Sequence, residues 1–287
     1  MPTYRLTVEY EGTRYRGWQE QANARTVAGE LKRACAEVLG AEVELGGSGR
    51  TDAGVHALAQ VAHLRCRAPQ KALPPGALLA EVNERLPPDI NLLAAEPAQP
   101  AFHARHDALS RSYLYQIARR RSAFAKRTVW WVRSPLDAER MRRAAAAIPG
   151  RHDFAPFCEK PAQQESTLVV VEGAEVVEAG DLLLVRLVAS HFLWKMVRRL
   201  VGTLVEVGMG ALPPELLAQR LAGEPAAAGF EAARFTAPPS GLFLERVRYP
   251  GEPPLSALAP ATPLSTRPRA EGRGARPRAH PAPRRRR

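Results

Sequence analysis

An arginine and an aspartate stand two residues apart, as Arg50 and Asp52, within a glycine-rich run from Gly46 to Ala57. Residues i and i+2 of an extended segment project their side chains to the same side, so these two groups can lie close together. An ionised carboxylate beside a guanidinium can serve as a nucleophile or as a base. The alternative interpretation is a structural turn, because Asp and Gly also occupy turns for local backbone reasons.

Other common chemistries find little support in the sequence. The glycine-rich run has no G-K-[ST] ending, and it is not a G-x-G-x-x-G run that opens a dinucleotide-binding fold. The three cysteines lie far apart with no C-x-x-C pair, which argues against a zinc ribbon or a disulfide framework. His103 and His106 are three residues apart, but no carboxylate or cysteine cluster accompanies them. We therefore expect neither a metal nor a cofactor.

The charge of the chain favours an anionic partner. Its 287 residues include 41 Lys or Arg and 29 Asp or Glu, a net charge of +12. Nucleic acid is the leading candidate and acidic lipid the second, while a basic surplus that only aids solubility is the alternative. No run approaches the roughly 18 apolar residues of a membrane helix, and the first residues contain no signal-peptide pattern. We expect a cytoplasmic protein with no membrane partner.

Hydrophobic periodicity predicts a six-element β-α-β-β-α-β pattern that occurs twice. In the first half, strands are predicted near residues 4–10, 41–45, 59–64 and 90–94, and helices near 27–39 and 75–86. In the second half, strands are predicted near 112–117, 168–177, 182–188 and 242–249, and helices near 137–148, 192–207 and 214–221. Each half has the split β-α-β order of ferredoxin-like folds, so we predict an α+β fold whose two halves place their antiparallel sheets side by side.

Three regions follow from this pattern. Residues 1–106 form a predicted N-terminal half that carries the glycine-rich run, and residues 107–250 form a predicted C-terminal half. Residues 251–287 contain nine arginines, eight prolines and no aromatic residue, with a net charge of +7. Such a composition buries little apolar area against its ordering entropy, so we predict a disordered basic tail.

The run from Gly49 to Ala57 resembles the catalytic motif of the tRNA pseudouridine synthase A family. Further stretches that resemble this family occur in the same order along the body of the chain, at Val8–Thr13, Tyr15–Gln19, Phe102–Arg105, Arg111–Tyr115, Met196–Gly202 and Gly241–Leu244. The resemblance covers roughly residues 4–249. It implies that the two sheets form a pseudouridine-synthase-type core.

The resemblance also implies a reaction and the residues that perform it. Enzymes of this family detach uracil from its ribose, turn the base and rejoin it through carbon 5, without a redox cofactor or a metal. The position of the nucleophile corresponds to Asp52, and Arg50 would help hold the target nucleotide out of its stack. Tyr113 corresponds to a tyrosine that stacks on uracil, and Arg198 to an arginine that pairs with the aspartate. Without the resemblance, Tyr113 would be a core tyrosine and Arg198 part of a solvated helix face.

The implied substrate is tRNA, at positions 38, 39 and 40 of the anticodon stem-loop, and the implied assembly is a homodimer in which both subunits contact the tRNA. Two other classes of function stay open. A non-catalytic RNA-binding protein would explain the charge but gives Asp52, Arg50 and Arg198 no joint role. A phosphate-handling enzyme would need a lysine or metal-binding carboxylates near Gly46–Gly49, and neither is evident.

Overall fold

The computed structural model describes residues 1–67, 69, 73–225 and 230–264. Its strands are β1 Thr3–Tyr10, β2 Val43–Gly47, β3 His56–Cys66, β4 Ile90–Pro97, β5 Ser110–Ala118, β6 Trp130–Trp131, β7 Gly150–Asp153, β8 Leu168–Ala179, β9 Leu182–Ala189 and β10 Leu242–Arg248. Its α-helices are α1 Val27–Leu39, α2 Pro75–Arg85, α3 Ala138–Ala145, α4 Met196–Gly208 and α5 Leu216–Leu221. The protein is thus a mixed α/β fold.

All ten strands belong to one sheet, in the order β4-β1-β3-β10-β5-β9-β8-β7, with β2 paired to β3 and β6 to β5. The last strand, β10, lies between β3 and β5, and it is parallel to β3 and antiparallel to β5. The strands of the first half therefore have the order β4-β1-β3-β2, and those of the second half have β10-β5-β9-β8 with β7 added at the edge. The division into domains at residue 106 stays a prediction.

Local sequence signals explain several helix boundaries. Thr26 caps α1 by accepting a hydrogen bond from the N–H of Gly29, and Gly40 ends the helix in the left-handed conformation at φ 63°. The expected helix over 192–207 begins later, at Met196, because Lys195 before it has a left-handed φ of 60° that no α-helix accommodates. Two short strands, β6 and β7, were not expected, since two to four residues give too little alternation to be recognised.

The sheet has apolar side chains on both faces. Along β5, Tyr113, Tyr115 and Ile117 belong to the main core, which also contains the buried faces of the helices. Leu114 and Ala118 alternate with them and belong to a second, smaller cluster. Because successive side chains of a strand point to opposite faces, the second cluster lies on the face opposite the main core.

A segment of the expected disordered tail covers this second face. Residues 252–264, which we call the strap, place Leu258, Ala261 and Leu264 against the second cluster. Gln116 donates to Thr262 Oγ1 at 2.9 Å and accepts from its N–H, while Arg186 donates to the carbonyl of Ser256 at 2.9 Å. The prediction of disorder was therefore wrong for residues 251–264, and residues 265–287 lie outside the described residues. The composition averaged over the whole segment did not reveal that its three leucines all precede its first arginine, Arg267.

Candidate active site

The loop from Ser48 to Val55 connects β2 to β3 and is fixed by buried contacts. The buried hydroxyl of Thr51 hydrogen-bonds to the hydroxyl of Tyr10 at 2.8 Å. The carbonyl of Thr51 accepts the N–H of Trp18 at 3.1 Å, and the carbonyl of Asp52 accepts the N–H of Val55 at 3.1 Å. These bonds hold the backbone on both sides of the Asp52 side chain.

A second segment, residues 12–18, packs directly against this loop. Gly17 has a φ of +93°, and a Cβ there would lie 2.4 Å from the carbonyl oxygen of Thr51. Both the conformation and the close approach therefore require glycine at this position. The N–H of Gly54 donates to the carbonyl of Tyr15 at 3.3 Å, which ties the far end of the loop to the same segment.

The carboxylate of Asp52 is paired with Arg198. Nη1 of Arg198, in the first turns of α4, donates to Oδ2 of Asp52 at 3.0 Å, and the two side chains are 14% and 24% exposed. Nε of the same guanidinium donates to the carbonyl of Ala237 at 2.7 Å, and the N–H of Ala237 donates back to the Arg198 carbonyl at 3.0 Å. The orientation of Arg198 is thus fixed. Its Nη1 pairs with Oδ2 of Asp52, and the other carboxylate oxygen, Oδ1, does not share this hydrogen bond.

Tyr113 lies close to this ion pair. Its buried ring meets the ring of Phe192 edge-on, at a centroid distance of 5.1 Å. Burial raises the pKa of Tyr113, and the nearby Tyr10 and Asp52 raise it further, so the phenol stays protonated. Within the described residues the Tyr113 hydroxyl has no hydrogen-bond partner, so it can donate to a bound molecule.

Arg50, by contrast, does not contact Asp52 in this structure. Its side chain is exposed, and its Nε donates to Oε1 of Gln19 at 3.2 Å. Of the four residues singled out in the sequence, the fold brings Asp52, Tyr113 and Arg198 together. It places Arg50 beside them, where its side chain contacts Gln19 and not Asp52. Leu244 is buried and lies opposite Tyr113 in the register of β10 and β5.

His56 contributes to the site in a way that the sequence did not indicate. Its Nδ1 accepts the N–H of Gly12 at 3.0 Å, so the proton of the neutral ring is on Nε2, which lies 2.8 Å from the carbonyl of Arg127. Burial lowers the pKa of His56, which favours this neutral form. The ring also stacks on Phe243 of β10. A histidine in a loop motif gives no sign of such distant backbone partners.

Metal-binding side-chain clusters and membrane-spanning helices are both absent from the part of the chain that the structure describes. It holds no group of three or more His, Cys, Asp or Glu side chains arranged to bind a metal ion. Among the described helices, none has the length and apolar character needed to cross a bilayer.

The fold and this site define a class: a mixed α/β protein in which an aspartate from one half of the sheet pairs with an arginine from the other. Comparison with known proteins gives the family. The family model described as tRNA pseudouridine synthase matches residues 6–107 and 144–250. The chain belongs to this family.

Curated relatives agree with this assignment over most of the chain. The protein named tRNA pseudouridine synthase A from Rhodopseudomonas palustris (strain BisA53) is 41% identical over 252 residues, which cover 87% of this chain and all of the relative. Proteins of the same name from Myxococcus xanthus and Nitrobacter winogradskyi are 41% and 42% identical, covering 88% and 89% of this chain and 94% and 98% of their own lengths.

Proposed function

We infer that this protein is a tRNA pseudouridine synthase, an isomerase that converts uridine to pseudouridine in tRNA. The reaction breaks the bond between N1 of uracil and C1′ of ribose and forms a bond from C5 to C1′; C5 releases its proton and N1 takes one up, so the product is an isomer of uridine. Family membership and the curated relatives support the activity. The observation that carries the assignment of the chemistry is the partly exposed Asp52 carboxylate, held by Arg198 beside Tyr113.

Asp52 is the proposed nucleophile. One carboxylate suffices for either of two routes, addition to the uracil ring or reaction at the ribose through a glycal. In both routes the target nucleotide must leave its stack, at a cost of a few kcal/mol. We propose that Arg50, which is exposed beside the loop, helps hold the flipped nucleotide. The ring of Tyr113 would face the flipped base, and base–aromatic stacking contributes about 1–3 kcal/mol.

The proposed target sites are uridines 38, 39 and 40 of the anticodon stem-loop. Tritium release tests this directly, since the proton at carbon 5 is lost in the reaction. Transcripts of one tRNA would carry [5-³H]uridine at a single one of these positions, with cytidine at the other two. We expect release from each of the three transcripts. A fourth transcript, with cytidine at all three positions and the label at uridines elsewhere, should show none. Release that persists from a transcript labelled only outside positions 38–40 would contradict the proposed target sites.

The proposed architecture is a pair of ferredoxin-like halves, residues 1–106 and 107–250, that form the core of the enzyme. The support is the repeated strand order, β4-β1-β3-β2 in one half and β10-β5-β9-β8 in the other, with α1 and α2 in the first half and α3, α4 and the short α5 in the second. A split β-α-β unit has this order when its first and third strands lie in the centre. Asp52 would then come from the first half, and Tyr113 and Arg198 from the second.

We further propose a cytoplasmic homodimer in which both subunits contact the tRNA. The resemblance to the family supports this assembly, and large apolar side chains such as Phe124 and Leu168 are exposed on the single chain. Light scattering on the purified protein, with and without tRNA, measures its mass directly. A mass of one chain under both conditions would contradict the dimer.

A further inference from the structure

A cavity of about 200 Å³ opens beside the loop that carries Asp52, on the side of Arg50. One wall consists of Trp18–Glu20 and Lys32, and the other of Gly46, Gly47, Gly49, Arg50 and Arg105. The reaction proposed above gives Arg50 a role in holding the flipped nucleotide and assigns none to the other residues that line this cavity. Arg50 lines the cavity and stands two residues before Asp52, so the Cα atoms of the two residues are at most about 7 Å apart. The cavity therefore lies within the length of one nucleotide from Asp52.

The cavity has an excess of positive charge. Among its lining residues Glu20 carries the one carboxylate, and Lys32 pairs with it at 3.1 Å. Arg50 and Arg105 are both exposed and form no ion pair within the described part of the chain. Two guanidinium groups therefore face this region without a neutralising acid.

A third positive charge lies buried behind the cavity and joins its parts. Arg111 is 8% exposed, and its Nη2 donates to the carbonyls of Ser48 at 2.9 Å and Arg105 at 2.6 Å. Its Nη1 donates to the carbonyl of Ser190 at 2.7 Å. Within the described residues, Arg111 donates to carbonyl oxygens alone, and no described carboxylate pairs with it. A buried guanidinium without a counter-ion favours an anion nearby.

Gly49, on the rim of this cavity, has no structural need to be glycine. Its φ is not in the left-handed region, and a Cβ there would meet no heavy atom within 4 Å. In contrast, a Cβ at Gly46 or Gly47 would collide with His63 or Trp18. Within the described residues, the N–H groups of Gly49 and Arg50 donate to no other group. Open space and free amides beside glycine are what a closely approaching phosphate requires.

We propose that this cavity is a phosphate subsite that binds one backbone phosphate of the RNA strand next to the target uridine. The inference rests on the proposed function, because it takes the RNA substrate as its ligand. The phosphate would be held by Arg50, Arg105 and the amides of Gly49 and Arg50, and polarised by the buried charge of Arg111. Such a contact fixes the register of the strand, so that the neighbouring nucleotide meets Asp52.

Gly49→Ala tests the close approach. The methyl group fits the free protein, so we expect an unchanged melting temperature, a KM for tRNA raised at least fivefold and a kcat within twofold of the wild-type value. Gly173→Ala is the matched control, because Gly173 on β8 also has open space around its Cβ and no left-handed φ. A KM equal to that of the control would overturn the subsite.

A phosphate-by-phosphate scan tests the charge independently of Gly49. RNA hairpins would carry a single uncharged methylphosphonate at each position within two nucleotides of the target. At one position we expect binding to the wild type to weaken at least fivefold, and binding to Arg105→Ala to change less than twofold. Arg151→Ala, an exposed arginine of β7, is the control and should respond like the wild type. Absence of any position with this coupling overturns the proposal.

The two proposals fail separately. Tritium release by the wild-type protein from the unmodified hairpin reports on the isomerase, whereas the methylphosphonate scan measures binding alone. Release without a coupled phosphate overturns the subsite and leaves the isomerase intact. A coupled phosphate without release supports the subsite and contradicts the isomerase.

Discussion

The proposed reactivity of Asp52 depends on groups that fix its backbone and its carboxylate separately. Tyr10 and Trp18 hold Thr51 from the N-terminal half, and Arg198 holds the carboxylate from α4. Arg198 in turn is held by the carbonyl of Ala237. A carboxylate held in this way keeps one orientation while the RNA binds, which is the preorganisation that catalysis requires.

Replacing Arg198 should lower the rate more than it lowers affinity. In Arg198→Met the charge-assisted hydrogen bond to Asp52 is lost, and such bonds contribute about 1.5–3 kcal/mol. We expect kcat to fall about 10- to 100-fold, with a tRNA dissociation constant within threefold of the wild-type value. Tritium release and filter binding measure the two quantities. Arg143→Met, at an exposed position of α3, is the control. An unchanged kcat for Arg198→Met would show that the pairing has no role in the reaction.

Two buried histidines should make the stability of the protein depend on pH. His56 and His63 each accept a backbone N–H at Nδ1, and burial lowers the pKa of both below the ordinary value of 6.5. The unfolded chain therefore binds more protons than the folded one as the pH falls below 6.5. The stabilisation is complete above pH 6.5 and is lost as the pH falls through the lowered pKa values.

Thermal melts between pH 8 and pH 5 measure this effect. We expect the melting temperature to be steady above pH 7 and to fall below pH 6.5, with a weaker fall in His56→Gln, which cannot take up a proton. His152→Gln is the control, because His152 lies near the exposed edge of the sheet. An equal fall in wild type and His56→Gln would contradict the role of His56.

At the scale of elements, the strap extends the folded body beyond the last strand. Its apolar residues cover the second face of the sheet, and its backbone satisfies two buried polar side chains, Arg186 and Gln116. Glu252 at its start also pairs with Arg5 of β1 at 2.5 Å. The strap thus binds strands from both halves of the sheet, although the family match ends at residue 250.

A chain that ends at Pro250 should be less stable than one that ends at Leu264. The shorter chain exposes the apolar second cluster and removes the bonds of Arg186 Nη1 to Ser256 and of Gln116 Oε1 to the N–H of Thr262, although Arg186 keeps Glu245 and Gln116 keeps the carbonyl of Thr128. Lost apolar burial and unsatisfied polar groups each cost about 1–3 kcal/mol. We expect the free energy of unfolding to fall by at least about 2 kcal/mol in urea titrations. Equal midpoints for the two chains would show that the strap does not stabilise the sheet.

Regular elements were predictable from the sequence, whereas long-range contacts were not. The apolar spacing and the Thr26 and Gly40 caps define α1, and the alternation around Tyr113 defines β5. The average composition of residues 251–287 predicted disorder and therefore missed the strap. A few apolar residues, Leu258, Ala261 and Leu264, are enough to pack it against the second cluster. The contact between Asp52 and Arg198 joins residues 146 positions apart, and nothing in local periodicity indicates it. Only the family resemblance brought these two residues together in advance.

At the scale of the whole molecule, the site lies where the two halves of the sheet meet. β10 pairs with β3 on one side and β5 on the other, so the strand that follows Asp52 and the strand that carries Tyr113 are separated by one strand. The chain carries a net charge of +12, and a net positive charge favours association with an anionic polymer such as RNA.

Binding of tRNA should weaken steeply with salt. Each phosphate that a protein cation neutralises contributes a slope of about −0.9 to the logarithmic dependence of affinity on salt. With at least two contacts, at Arg50 and Arg105, we expect affinity to fall about tenfold or more between 50 and 200 mM salt. Filter binding over this range measures the slope. An affinity that does not change with salt would contradict an electrostatic contact with RNA.

The measurement that tests the central claim most directly is tritium release from tRNA labelled at carbon 5 of uridine, by the wild-type protein and by Asp52→Ala. Mass spectrometry of the intact product cannot replace it, because pseudouridine is an isomer of uridine. We predict release by the wild type and none by Asp52→Ala, with tRNA binding retained by both proteins. Release by Asp52→Ala at the wild-type rate would contradict the assignment of Asp52. Absence of release by the wild type, from tRNAs with uridine in the anticodon arm, would contradict the isomerase itself.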